Sequence, residues 1–277
     1  MNRILLTYIL CLFSFFGIAQ TKVYSDSISL DGLKHVDFNI KDSSYNFTTD
    51  KLGNFYFYKD QEIIKLSPEG DTLFQNSNKT SGNIHFIDAQ NPLSVLVFYK
   101  NQSLVSVLDN TLSEKSAPVD LSHFDLYQVE LVSSSMDNDH IWIYNQENTT
   151  LLKLNRTLGT TQEIGNLHNL LEIDIEPNYM VETNDNLYLN NPETGILVFD
   201  KFGTYYKTIP VKELDNFQIK NNKIYFTQNG IFGYYDMLKL SYHKFSSTQF
   251  YLDKVRIEKY NICNYSGNIL SIFTSFK

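Results

Sequence analysis

The sequence predicts an all-β chain folded as a six-bladed β-propeller with four-stranded blades, and three observations carry that reading. Alternating apolar segments recur as "NFYFY" at 54, "SVLVF" at 94, "HIWIY" at 140, "NLYLN" at 186, "KIYFT" at 223 and "NILSIF" at 268. Their third residues, Tyr56, Leu96, Trp142, Tyr188, Tyr225 and Leu270, are spaced 40, 46, 46, 37 and 45 apart. A repeat near 43 residues is the length of one propeller blade. Next, an apolar residue followed by a small polar one closes the following strand as Leu66-Ser67, Leu108-Asp109, Leu154-Asn155, Phe199-Asp200 and Tyr235-Asp236. These stand 10, 12, 12, 11 and 10 residues after the first markers, so a sixth falls past the end at Lys277. Finally, "VYSDSISLDGLKHVDFNI" near the N-terminus contains Leu30-Asp31-Gly32 between two alternating runs, which reads as a hairpin.

Taken in chain order, "MNRILLTYILCLFSFFGIAQ" has one basic residue, Arg3, an apolar run, and small residues at Gly17 and Ala19. That is the pattern of a secretory signal over residues 1–19, followed by a single domain over 20–277. Cys11 lacks the small residues that precede a lipidated cysteine, so a lipid anchor is not expected. Residues 22–40 are expected to supply the two outer strands of the last blade and residues 256–275 its two inner strands. The termini then close the ring and leave no open edge. Within the ring, "GILVFDKFGTYYKTI" at 195–209 is the third and fourth strand of blade four, joined by a turn around Phe-Gly. Second-strand residues such as Trp142 and Tyr188 are expected to pack between blades. Asn and Asp carry many turns, as in "NDN" at 184 and "NNK" at 221. Connections at 116–127 and 164–177 break the rhythm, and "NLHNLLEI" in the second suits about two helical turns.

Composition narrows the function. The 277 residues carry 23 basic and 31 acidic side chains, and loss of Arg3 with the signal takes the formal charge from -8 to -9. That balance argues against nucleic acid, whose phosphates require Lys and Arg. No basic amphipathic helix points to a membrane surface, and no transmembrane segment is expected once the signal is cleaved. One cysteine remains, Cys263, so stability rests on a core rather than on an internal disulfide.

The chemistry-bearing residues form no established signature. His35, His85, His123, His140, His168 and His243 fall in different segments without metal-ligand spacing. There is no G-x-S-x-G elbow, P-loop, C-x-x-C pair or EF-hand loop. Cys263 reads as a small buried hydrophobe. Sequons at Asn46, Asn78, Asn101, Asn148, Asn155 and Asn264 follow from the Asn richness and matter only in a eukaryotic host.

The period near 43, the aromatic second strand, the polar turn after the third strand and the closure through both termini resemble the six-bladed propeller superfamily that includes NHL-repeat and TolB-like proteins. The resemblance covers the whole mature chain and implies a fold more than an activity. The "GIAQ" signal end and the Asn-, Lys-, Ile- and Tyr-rich composition look like exported proteins of Bacteroidota. "DSI" at 26 and "DTL" at 71 are similar to that group's short O-glycosylation motif. Propeller enzymes similar to gluconolactonases hold calcium on Glu, Asn and Asp at inner-strand ends. Here the candidates near the corresponding strand ends are Asp50, Asp88, Glu182 and Asn221, which do not match that family's motif and which turn chemistry accounts for better than a metal site.

The leading expectation is therefore an exported, non-enzymatic propeller of the cell envelope, periplasmic or associated with the outer membrane. It would bind another envelope or secreted protein, as a monomer or as a subunit of a complex. The aromatic "TYY" at 204 and the 164–177 insertion are the proposed contact elements, although strand alternation with one face buried also accounts for the tyrosine pair. No catalytic or cofactor-binding residue is assigned, and no cofactor is expected, calcium being the one alternative. The rival readings are a gluconolactonase-like enzyme acting on a sugar, lactone or glycan fragment, and a glycan- or small-molecule-binding module without turnover.

Overall fold

The computed structural model describes residues 22–137, 139–155 and 159–274. The expected signal at 1–19 lies outside them. The N-terminal strands are β1 (Tyr24–Ser29) and β2 (His35–Asn39). Blade one comprises β3 (Asn46–Thr49), β4 (Phe55–Lys59), β5 (Glu62–Leu66) and β6 (Thr72–Ser77). Blade two comprises β7 (Phe86–Asp88), β8 (Val95–Tyr99), β9 (Leu104–Leu108) and β10 (Val119–Asp120). Blade three comprises β11 (Val129–Ser134), β12 (His140–Asn145), β13 (Thr150–Asn155) and β14 (Thr160–Ile164). After the short helix α1 (Leu167–Leu171), blade four comprises β15 (Tyr179–Thr183), β16 (Asn186–Asn191), β17 (Gly195–Asp200) and β18 (Tyr205–Ile209). Blade five comprises β19 (Gln218–Lys220), β20 (Lys223–Gln228), β21 (Ile231–Asp236) and β22 (Ser241–Ser246). The chain ends in β23 (Lys254–Glu258), β24 (Asn261–Ser266) and β25 (Ile269–Phe273).

Six sheets thus form the six expected blades, and the termini close the ring. The division of strands differs from the two-plus-two expectation. Blade six runs β2-β25-β24-β23, one strand from the N-terminus and three from the C-terminus, while β1 pairs in parallel with β22 as a fifth strand of blade five. Leu30-Asp31-Gly32 is therefore a crossing between two blades rather than a hairpin. Its Asp31 carboxylate accepts hydrogen bonds from the Ser247 hydroxyl and the Thr248 amide, which belong to the connection between β22 and β23. The sixth marker, Leu270, stands one strand too late for the same reason. Leu270 lies in the third strand, and the second-strand position belongs to Cys263, 38 residues after Tyr225. Phe273-Thr274 then follows 10 residues later as the sixth turn marker, so that marker is present within the chain. The first strand of blade six, "KVRIE", alternates three charged residues with only two apolar ones, Val255 and Ile257, and lacks the aromatic or long apolar run that marks strands such as β4 and β8.

The polar turn marker has a local cause. In blade four the Asp200 carboxylate accepts from the Phe202 and Thr204 amides, while Gly203 adopts φ +78° and donates to the Asp200 carbonyl. Asp109 accepts from Thr111 and Ser113, and Ser67 accepts from Glu69 and Asp71, in the same i+2, i+4 pattern. A short oxygen-bearing side chain is needed to cap these bulged turns.

Each neighbouring pair of blades shares one apolar cluster. Tyr56 packs with Val95 and Val97 between blades one and two, Trp142 with Leu187 and Phe199 between three and four, and Tyr188 with Ile224 and Phe226 between four and five. The second-strand residues are inter-blade packing residues, as expected. Leu30 enters the seam between blades five and six beside Phe232 and Ile257. Helix α1 is one and a half turns long; Asn166 caps it by accepting from Asn169 N at 2.9 Å, and buried Leu167 anchors it to the three–four seam. In the 116–127 connection, Leu121 is buried in a 3-10 turn over Leu121–Phe124.

Candidate functional site

The first strands of the six blades surround an axial channel. Asn46, His85, Glu130, Asn178 and Lys254, at or next to the beginnings of those strands, line a wide cavity of about 730 Å³ on one face, here the upper. Thr49, Asp88, Thr183, Lys220 and Glu258, at their ends, line a narrower cavity of about 330 Å³ on the lower face. Phe86, Tyr179, Met180 and Arg256 line both and form the waist between them. The waist is aromatic: Phe86 meets Tyr179 edge-on at 6.0 Å, and Tyr179 meets Phe217 edge-on at 5.1 Å.

Arg256 is the one charged group at the waist and the only arginine among the described residues. Its Nη1 donates a long hydrogen bond of 3.5 Å to the Phe217 carbonyl. Among the described residues no carboxylate lies within ion-pair distance of it. Two phenols face the guanidinium. Burial pushes the Tyr58 hydroxyl up to about 12, and it raises Tyr179 as well, with Arg256 pulling both the other way.

The four candidates for a calcium set are dispersed and structurally engaged. Asp50 is buried in the turn after β3, where its carboxylate accepts from the Leu52 and Asn54 amides, Asn54 Nδ2 and the Tyr56 hydroxyl. Asp88 ties blade two to blade three, accepting from Ser134 N at 2.9 Å, the Ser133 hydroxyl at 3.3 Å and its own turn through Gln90 N. Glu182 ties blade four to blade three, accepting from Trp142 Nε1 at 2.8 Å and Met136 N at 3.2 Å. Asn221 is exposed at φ +50° and pairs with Asn222 at φ +59° in the two-residue hairpin turn of blade five. Asp50 and Asp88 both line the lower cavity, and Glu182 turns into a seam instead. Among the described residues no group of three His, Cys, Asp or Glu side chains comes together as metal ligands.

Glu258 adds a third tie at the lower mouth, accepting from the Thr49 hydroxyl of blade one and from Gln218 Nε2 and Lys220 Nζ of blade five, the last two at 2.9 and 2.6 Å. The cavity is also lined by Lys51 and Lys259, both exposed and without an ion pair among the described residues. The lower cavity therefore has four basic groups against three carboxylates that are already hydrogen-bonded. The upper is lined by four acidic residues, Glu130, Glu213, Asp215 and Asp253, against Lys254 and Arg256. The channel is electrically polarised along its axis.

Around the lower mouth, the turns between first and second strands place Leu52, Leu93, Met136 and Tyr260 in solvent, blades four and five contributing Asn184-Asp185 and Asn221-Asn222 instead. Leu93 is 63% and Tyr260 70% exposed. In "TYY", Tyr205 leans on Phe199 at 5.8 Å while Tyr206 is 69% exposed. Neither ring is buried, because β18 is an outermost strand with no blade beyond it.

Of the histidines, His243 has the most defined surroundings. It is buried and stacked on Tyr234 at 4.7 Å; Ser241 Oγ lies 2.9 Å from its Nε2 and an Asp26 carboxylate oxygen lies 2.5 Å from its Nδ1. Asp26 reaches it because β1 adds to β22, so these three residues pin the fifth strand to blade five. Cys263 is 1% exposed and burial pushes its thiol up to about 12, the environment of an inert packing residue. Ser27 and Thr72, the hydroxyls of "DSI" and "DTL", are exposed.

Comparison with known proteins agrees with this architecture. Solved structures similar to the chain include virginiamycin B lyase from Staphylococcus aureus, at 11% identity and TM-score 0.57, covering 88% of this chain and 99% of that one. The Pan2 WD40 domain of Neurospora crassa matches at 8% identity and TM-score 0.56, covering 83% and 90%. YCF48 bound to D1 peptide matches at 9% identity and TM-score 0.51, covering 90% and 99%. These likenesses show the fold alone. No protein-family model matches the chain, and no curated protein matches it.

The waist was not anticipated from sequence. Its one legible signal is the charge alternation Lys254, Arg256, Glu258 in "KVRIE", which marks a strand facing a polar channel rather than a dry seam.

Proposed function

We propose that the protein is an exported, non-catalytic interaction module of the cell envelope that receives a partner protein on the lower face of the disc. The observation that carries this reading is the collar of Leu52, Leu93, Met136 and Tyr260 around the basic mouth, where apolar tips on a rigid ring offer area to bury. Export rests on the signal-like N-terminus. The YCF48 structure, which holds a peptide, lends the general support that a propeller of this kind accommodates a polypeptide ligand. Tyr206 and the α1 connection remain secondary contact elements away from the collar.

In-cell crosslinking of a tagged copy in the native host tests the reading. The wild type is expected to capture a stoichiometric envelope or secreted protein, and a Leu93→Ser/Tyr260→Ser double variant to lose it. Recovery of the tagged protein alone, or capture unaffected by the double variant, overturns the proposal.

One observation favours a second reading. Ser241, His243 and Asp26 follow the atom order of a nucleophile, base and orienting carboxylate. In the interaction reading they serve the β1–β22 seam, and a fluorophosphonate probe leaves the wild type unlabelled. Labelling of Ser241 that disappears in His243→Ala would establish a serine hydrolase instead.

A further inference from the structure

We infer that the lower cavity is a carboxylate-binding site with Arg256 at its floor, and that its ligand is the carboxyl-terminal end of a partner polypeptide. This inference rests on the interaction reading above and names the chemistry that the partner must present.

Four observations converge. The Arg256 guanidinium is half-buried at the waist, where its neighbours are the Phe217 carbonyl at 3.5 Å, the Tyr179 hydroxyl it hydrogen-bonds and the Tyr58 phenol, so its charge lacks an anionic partner among the described residues. Keeping a guanidinium out of bulk water without a counter-anion is costly, and a carboxylate is the partner whose two oxygens match its fork. The carboxylates lining the same cavity, Asp50, Asp88 and Glu258, are engaged by their own turns and by neighbouring blades, and none reaches Arg256. Lys51 and Lys259 stand at the rim of that cavity, whereas the acidic excess lies on the far side of the waist. An anion is therefore drawn in from below and repelled from above.

Size selects a chain end. A cavity of about 330 Å³ lies at the lower limit of ligand pockets and admits a terminal residue or two, not a folded element. The apolar collar lies outside the cavity, where the residues preceding that terminus would pass. A free small acid would fill the cavity and leave the collar bare.

The test needs no knowledge of the partner. A pool of N-acetylated hexapeptides of random sequence, made with free carboxyl termini and as isotopically marked amides, is passed over the immobilised protein. The retained fractions are counted by mass spectrometry. The wild type is expected to favour free acids about tenfold or more, the worth of a charge-assisted pair. Arg256→Met is expected to bring the ratio to about one, with Arg256→Lys between, because a lysine keeps the charge and loses the fork. Melting curves establish that both variants are folded, and the acid–amide contrast in the wild type stands independently of either. Equal retention of acids and amides by the wild type overturns the inference, as does acid selection that survives in folded Arg256→Met. N-acetylalanine is added as a competitor; if it displaces the hexapeptides mole for mole, the ligand is a free small acid and the chain-end assignment falls. Failure here is separable from failure of the interaction reading, which is judged by crosslinking and by the collar variants.

Discussion

Deletion of residues 21–40 is expected to leave a chain that no longer melts as one cooperative unit and that binds a hydrophobic dye. The deletion removes both closing strands at once. β1 is paired with β22 from Tyr24 to Ser29, and β2 with β25 from His35 to Asn39, so two strand edges become unpaired. It also strips the five–six and six–one seams of Leu30 and Ile40, with Ile28, Leu33 and Phe38 packed against them. Buried Leu30 and Ile40 at about 1.5–3 kcal/mol each, with smaller contributions from the three half-buried side chains, make up a large share of the net stability of an ordinary domain. Leu30→Ala isolates one of them. It is expected to cost about 3 kcal/mol and to lower Tm by about 10 °C, because a fully buried leucine leaves a cavity that flanking strands cannot fill. Scanning calorimetry and dye binding check both forms. A truncated protein with a normal cooperative melt would show that the ring does not depend on its termini.

Glu182→Ala is expected to destabilise the protein by about 3–4 kcal/mol, and Glu182→Gln by about 1 kcal/mol. Glu182 is 2% exposed and its carboxylate satisfies Trp142 Nε1 and Met136 N across the three–four seam. Alanine leaves the buried Trp142 indole N–H and the half-buried Met136 amide without their acceptor, the first at a full desolvation penalty, while glutamine keeps an acceptor oxygen in place. Trp142 is the only tryptophan, so urea titrations followed by its fluorescence report on this seam. Loss in Glu182→Ala of less than about 1 kcal/mol would mean that the carboxylate is free for another role, and the calcium reading would gain what the structural one lost.

The two experiments bear on the parts of the molecule that were least evenly legible. The number of blades follows from Tyr56, Leu96, Trp142, Tyr188 and Tyr225, because each fills a seam between sheets with a large apolar side chain that stands out in the sequence. The turn markers were legible because Ser67, Asp109 and Asp200 cap amides two and four residues ahead, an interaction contained within one turn. Blade six differs from the sequence expectation by one strand. Cys263 fills its seam position with a small side chain, and the inner strand alternates charged Lys254, Arg256 and Glu258 with only two apolar residues, Val255 and Ile257. Asp50 and Asn221 read as turn formers with a metal alternative, and both occupy turns. Asp88 and Glu182 looked the same in one dimension and instead bind across seams, to residues 45 and 40 positions earlier or later.

What this sequence determined by itself is everything that short-range chemistry can specify: strand alternation, the capped turns, the repeat, and hence the six-bladed ring closed by its own ends. The tertiary structure alone decided how the closing strands divide between blades five and six, which carboxylates are spent on seams, and that Arg256 stands at the waist without an anion. Those outcomes depend on which first strands face one another across the axis, and residues that meet there are separated by whole blades of chain. Periodicity records which face of a strand is apolar, but carries no term for the partner across the channel.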